Sequence, residues 1–144
     1  MWAQVQRSFA GARRREPRWV TRRMLDAVHQ AQIREHSGSL GVRDEGLLES
    51  ALARPQHKFA YSEKADWATL AAAYAFGLAK NDGFVDGNKR VAFMAAYVFL
   101  GLNGYDLDAE EPDIVTTMEG VAASKLTEAA LAKWFRAHIV PIQA

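Results

Sequence analysis

The stretch Lys80-Asn81-Asp82-Gly83-Phe84-Val85-Asp86-Gly87-Asn88-Lys89-Arg90 gathers carboxylates, amides and cations around two glycines. It separates two runs rich in alanine, leucine and aromatics, Ala71 to Ala79 and Val91 to Leu102, which read as apolar helices. A helix beginning at about Asn88 turns its free backbone N–H groups and the positive end of its dipole toward the loop, and such an end attracts anions. Lys89 and Arg90 fall in its first turn, where cations oppose the dipole and cost stability unless an anion compensates. Arginine offers a planar fork to phosphate, lysine a point charge. Gly87 lets the backbone approach a ligand closely. Asp86 sets a carboxylate beside the cations, and Mg²⁺ typically takes one or two protein carboxylates plus phosphate oxygens. These residues describe a cradle for the phosphates of a magnesium nucleotide. They equally admit a turn and cap with Lys89 and Arg90 solvated, since the string lacks the P-loop pattern.

The elements that must position this loop follow from the flanking patterns. Thr21 is an N-cap candidate, and Met24, Leu25, Val28, Ala31 and Ile33 then recur at roughly helical spacing. Gly38 and Gly41 end that helix. Asp44 caps a second through Leu47, Leu48, Ala51 and Leu52, with Pro55 predicted to stop it. Residues 56–65 show no helical period, and this segment is the one place where strand is expected, as a short hairpin or extended flap around Lys58, Phe59, Ala60 and Tyr61. Asp66 or Thr69 opens a third helix, apolar almost all round and so central. Asn81-Asp82-Gly83 breaks it. The helix from Asn88 ends at Asn103-Gly104. Pro112 begins another through Val121, and Thr127 caps the last, which runs to His138. The predicted fold is all-α, one bundle of about six helices with a short β-hairpin flap.

A chain of 144 residues, 49% apolar and 24% charged, fits one soluble domain able to bury a core. The absence of cysteine excludes disulfides, thiolate metal sites and a cysteine nucleophile. Residues 1–24 hold seven arginines against the single acid Glu16. That basic arm suggests an acidic partner or nucleic acid, or else a disordered leader. It has no apolar run of the kind a signal peptide or membrane span needs. The four histidines (His29, His36, His57, His138) include no pair at i, i+4, which argues against zinc. They read as surface or packing residues, with His57 the one to watch beside the expected flap. The four tryptophans read as core or interface anchors.

The loop resembles the signature of the Fic/Doc (death-on-curing) family, His-x-Phe-x-(Asp/Glu)-(Gly/Ala)-Asn-(Lys/Gly)-Arg, with Phe84, Asp86, Gly87, Asn88, Lys89 and Arg90 matching. The flanks Ala75 to Asn81, Leu100 to Tyr105 and Gly41 to Leu52 are similar to the Doc-type toxin subgroup. The likeness covers about residues 17–138. It sets a basic, flexible extension over 1–16 apart from a Fic/Doc domain over 17–140. The resemblance implies a cytoplasmic transferase toxin, moving phosphate or AMP from a nucleoside triphosphate (ATP) to a protein hydroxyl. It implies a translation factor such as elongation factor Tu as target and a Phd-type antitoxin as partner. In these terms Phe84 anchors the loop, Asp86 holds Mg²⁺, and Gly87, Asn88, Lys89 and Arg90 bind the phosphates, with Asn88 and Arg90 counted as catalytic. Residues 56–65 are the flap that aligns the target, with Lys58, Phe59, Ala60 and Tyr61 facing it.

One position departs from the pattern. Asp82 stands where the resemblance implies the histidine base that accepts the target hydroxyl's proton. Aspartate is the weaker base by roughly 2.6 pKa units, and a general base works best near the operating pH. Its charge also disfavours a triphosphate nearby. Asp82 therefore reads as an inactivating change, engineered or selected, as the mark of a natural pseudoenzyme, or as a variant that still reacts slowly because positioning and charge stabilisation dominate phosphoryl transfer. The alternative to a weakened enzyme is a non-catalytic module that engages an antitoxin or a second copy of itself. Nucleic-acid contact is expected only through the arm or within an antitoxin complex.

Overall fold

The computed structural model describes residues 15–142. The elements in chain order are α1 (Arg22–His36), α2 (Glu45–Tyr61), α3 (Trp67–Asn81), α4 (Asn88–Leu102), β1 (Tyr105–Leu107), α5 (Glu111–Ala122), α6 (Glu128–His138) and β2 (Ile139–Pro141). The fold is all-α with a small two-stranded antiparallel sheet, as expected in class. Four helices begin where a polar side chain takes up a free N–H. Thr21 Oγ1 accepts from Met24 (3.2 Å), Asp44 Oδ1 from Leu47 (3.0 Å), Asp66 Oδ1 from Thr69 (2.9 Å) and Thr127 Oγ1 from Ala130 (3.1 Å). Each such cap stabilises its helix by about 1 kcal/mol.

Helix α3 is the axis of the bundle, with ten of its fifteen residues buried. Alanines at 71, 72, 73 and 75 leave room for α2, α4 and α6 to pack closely around it. Tyr74, wholly buried, turns its hydroxyl to accept the Val20 N–H (2.9 Å), which ties the entry to α1 to the core. Phe99 of α4 lies against Tyr74 (5.0 Å between ring centroids) and stacks on Trp19 (5.8 Å). Trp67 and Trp134 also pack in aromatic clusters, so three of the four tryptophans anchor the interior as expected. Trp2 and residues 1–14 of the basic arm lie outside the described residues. Among those described, no helix is long and apolar enough to cross a membrane.

Two expectations are corrected. Pro55 does not stop α2, which continues to Tyr61. An interior proline forfeits one backbone hydrogen bond and crowds the carbonyl one turn back. Here that loss is offset because the Pro55 ring is fully buried and the following turn is anchored from outside. Arg54 and Lys58 flank Glu128 of α6, and Phe59 meets Trp19 edge-on at 5.7 Å. Residues 56–61 are therefore helical, followed by a short turn to Asp66, and hold no hairpin. The strands lie elsewhere. β1 pairs with β2 in the register Tyr105↔Pro141, Asp106↔Val140 and Leu107↔Ile139, joining the exit of α4 to the end of the described chain.

Candidate functional site

The 82–90 loop is built on Phe84, which is 1% exposed and plugs the loop into the core. Asn88 holds Phe84 through both ends of its amide. The Phe84 N–H donates to Oδ1 and Nδ2 donates to the Phe84 carbonyl, each at 2.9 Å. Both ends of the side-chain amide are used in this way, so Asn88 shapes the loop from within and leaves its backbone N–H for the groove. Gly87 adopts φ 79°, a left-handed conformation, and α4 starts there with no side chain capping its first N–H groups. Asn88, Lys89 and Arg90 are thus the first three residues of a fifteen-residue helix with no acid in its first turn.

A groove of about 840 Å³ opens over this helix end. Its floor is the loop, Asp82 to Asn88. One wall is the end of α1, with Gln32, Glu35 and His36. The others are the start of α4, with Lys89, Arg90, Phe93 and Met94, and the face of α5 around Ile114 and Met118. Lys89 and Arg90 are exposed, and neither has an ion pair or side-chain hydrogen bond among the described residues. Two cations on a positive helix end favour an anion at that point of the groove, whose other charged lining is acidic, with Glu35, Asp82, Asp86, Glu111 and Glu119.

Asp86 faces the same groove. Its Oδ1 accepts the Gly87 N–H (2.9 Å) and Oδ2 the Ser39 N–H (3.3 Å), so the carboxylate is oriented while lone pairs stay free. Gly38, at φ 122°, makes this possible, since a Cβ there would sit 2.6 Å from Oδ2. Among the described residues no three metal-ligating side chains converge. The donor set fits a hard divalent cation held by one carboxylate and completed by phosphate oxygens and water, and it does not fit a closed protein cage.

Asp82 caps the end of α3 at φ 56°, a left-handed conformation that aspartate tolerates better than most residues. Its carboxylate is exposed at the groove and has no hydrogen-bond partner among the described residues. The backbone beneath it is fixed by Arg43, whose Nε donates to the Asp82 carbonyl (2.7 Å) and whose second nitrogen donates to the Asn81 carbonyl (2.9 Å).

The segment set against the loop is not the one expected. Lys58, Phe59, Ala60 and Tyr61 do not line the groove, and His57 and Lys58 line a separate hollow with Arg54 and Asn81. Residues 38–44, between α1 and α2, form the strap. Val42 and Phe84 make an antiparallel bridge. Val85 N–H donates to Gly41 O (3.0 Å), and the N–H groups of Arg43 and Asp44 both donate to Gly83 O (2.8 and 3.0 Å). Leu40 and Val42 are exposed along this strap, beside exposed Val85.

Sequence reading also passed over two groups of α1. His29 is 4% exposed, stacks on Phe84 (3.8 Å between centroids) and bonds the Asp86 carbonyl (3.0 Å). Gln32, 9% exposed, lines the groove. Their signal was their spacing: with Leu25 and Ile33 they occupy one inward stripe of the helix.

Residues 19–100 match the model of the Fic/DOC family, and the chain belongs to that family. It is 30% identical over 119 residues to the protein kinase doc of Escherichia phage P1, an alignment spanning 83% of this chain and 94% of that protein. It is 48% identical over 77 residues to toxin Doc of Mycolicibacterium smegmatis, spanning 51% of this chain and 57% of that protein. The family match contains α1, the strap, the loop and most of α4, whereas the α5 wall of the groove lies beyond residue 100.

Proposed function

We propose that this chain is a Doc-type toxin of a toxin–antitoxin pair, with a groove shaped to transfer phosphate, or AMP, from a nucleoside triphosphate to a protein hydroxyl. The observation that carries the reading is the uncapped start of α4. Lys89 and Arg90 stand there without an ion pair among the described residues, beside the oriented carboxylate of Asp86. ATP phosphates would lie on the first N–H groups of α4, with Lys89 and Arg90 taking the charge that spreads over the transferred group. Asp86 would hold Mg²⁺, which when bound supplies charge neutralisation between phosphate oxygens. The target's hydroxyl oxygen then bonds to phosphorus, the bond to the departing phosphate oxygen breaks, and the hydroxyl proton must pass to a base. Residue 82, at the edge of the groove, would be that base, and with aspartate there turnover would be reduced or abolished. A target segment pairing along the strap at Leu40 to Val42 would bring its hydroxyl to this point. We take the target to be a translation factor such as elongation factor Tu, and the partner to be a Phd-type antitoxin that covers the groove.

A second reading, a binding module that engages the antitoxin without turnover, is favoured by Asp82 alone. The two separate when this chain and its Asp82→His form are each incubated with γ-labelled and α-labelled ATP, Mg²⁺ and elongation factor Tu. Label on the target only with the histidine form supports the transferase, and the labelled position tells phosphate from AMP. Label with neither form counts against transfer to this target and favours the binding module.

A further inference from the structure

We infer that His29 is a positioning residue for the Asp86 carboxylate, and that this buried imidazole sets the metal-dependent part of nucleotide affinity. The inference rests on the reading of the groove given above. His29 lies on the inward stripe of α1, between Leu25 and Ile33, a place where an apolar side chain would ordinarily pack. Its ring stacks on Phe84, 18° from parallel. Its Nε2 reaches the Asp86 carbonyl at 3.0 Å, and because a carbonyl only accepts, Nε2 carries the hydrogen. The side chain is polar, 4% exposed, and spends its donor on the backbone of Asp86, the carboxylate that the Gly87 and Ser39 N–H groups orient.

The result is a residue fixed at three points. His29 holds the Asp86 carbonyl, Gly87 N–H holds Oδ1 and Ser39 N–H holds Oδ2. The last two act on the carboxylate itself. The first fixes the peptide from which that carboxylate springs and ties it to α1, which no other hydrogen bond of the loop does among the described residues. Groups that orient a metal-ligating side chain in this way commonly govern about 10–100-fold in metal affinity. Simple packing would need only an aromatic ring on Phe84, so donor and ring can be tested separately.

The test is calorimetric titration of the full chain with ATP, once with Mg²⁺ and once with EDTA. His29→Phe keeps a ring on Phe84 and removes the donor. His29→Gln removes the ring and keeps an N–H. We expect His29→Phe to bind ATP in EDTA as the unsubstituted chain does, and to lose about tenfold or more of the affinity gained from Mg²⁺. His29→Gln should retain most of that gain despite a lower melting temperature. An unchanged gain in His29→Phe, or an equal loss with and without Mg²⁺, overturns the inference. If His29→Phe does not fold, the glutamine form decides, and loss of its gain counts against the inference. An unsubstituted chain with no Mg²⁺-dependent gain at all overturns the groove reading as well.

Discussion

Asn88 grips Phe84 by both faces of its backbone, with two bonds of 2.9 Å made by one amide. Asn88→Ala removes both and leaves partly buried groups unpaired. It should destabilise the protein by about 2 kcal/mol in urea titrations, within the range for lost hydrogen bonds of this kind. Asn88→Asp keeps the acceptor but places an anion against the Phe84 carbonyl, and should do no better. An unchanged urea midpoint in both would mean that Phe84 packing alone holds the loop.

The opposite sign is expected at Lys89. Its charge sits against the positive end of α4 with no counter-ion among the described residues. Lys89→Glu should raise stability of the ligand-free protein by about 0.5 kcal/mol at low salt and, at the same time, weaken ATP binding. Calorimetry and thermal melts on one sample set read both. A loss of stability would show that Lys89 is already compensated in solution.

Gly38 is constrained twice, by φ 122° and by the 2.6 Å approach a Cβ would make to Asp86 Oδ2. Gly38→Ala should cost about 1–3 kcal/mol from backbone strain and displace the carboxylate. Its signature is a selective fall in Mg²⁺-dependent ATP affinity. A variant with native stability and native affinity would argue that the strap shifts freely.

Tyr74 is pushed up to about 12 by burial, partly offset by the Val20 N–H it accepts. Tyr74→Phe keeps the ring and strands that N–H in the core. Destabilisation of about 1–3 kcal/mol is expected in chemical denaturation. No change would imply that Val20 finds water or another acceptor.

The Arg136 guanidinium beside it holds the Asp66 carboxyl down to about 2, with burial opposing. An unfolded aspartate titrates at about 3.9, so the folded form gains stability from this pair above that pH. The gain fades as pH falls from about 4 toward 2. Both side chains are about half exposed, so the effect is read as a slope and screened by salt. Arg136→Met should flatten the acid limb of a urea-midpoint profile over that window. A slope identical to the unsubstituted chain would assign acid unfolding to other carboxylates.

Local chemistry was legible in the chain and long-range pairing was not. Thr21, Asp44, Asp66 and Thr127 announce their helices because a cap acts within three residues. The loop itself was legible because its polar, glycine and basic residues are contiguous. Pro55 misled because the local penalty is real, while Glu128 and Trp19, which outweigh it, are remote in sequence. The strap was misplaced for a related reason. Gly38 and Gly41 signal a turn, but nothing near them shows that Val42 will meet Phe84. His29 was read only as a surface or packing residue, since its partner is a backbone carbonyl 57 residues away, which leaves no trace in side-chain types.

The isolation of the Asp82 side chain has a consequence for how this protein can change over generations. The loop keeps its shape through Arg43, Asn88 and His29, and none of these touches the carboxylate at position 82. Aspartate and histidine both tolerate the left-handed backbone found there. On the function proposed above, a single codon at this position would disarm or rearm the groove while the hydrogen bonds that shape the loop stay in place, and a lineage carrying the silent form would keep the rest of the machinery for a one-step reversion.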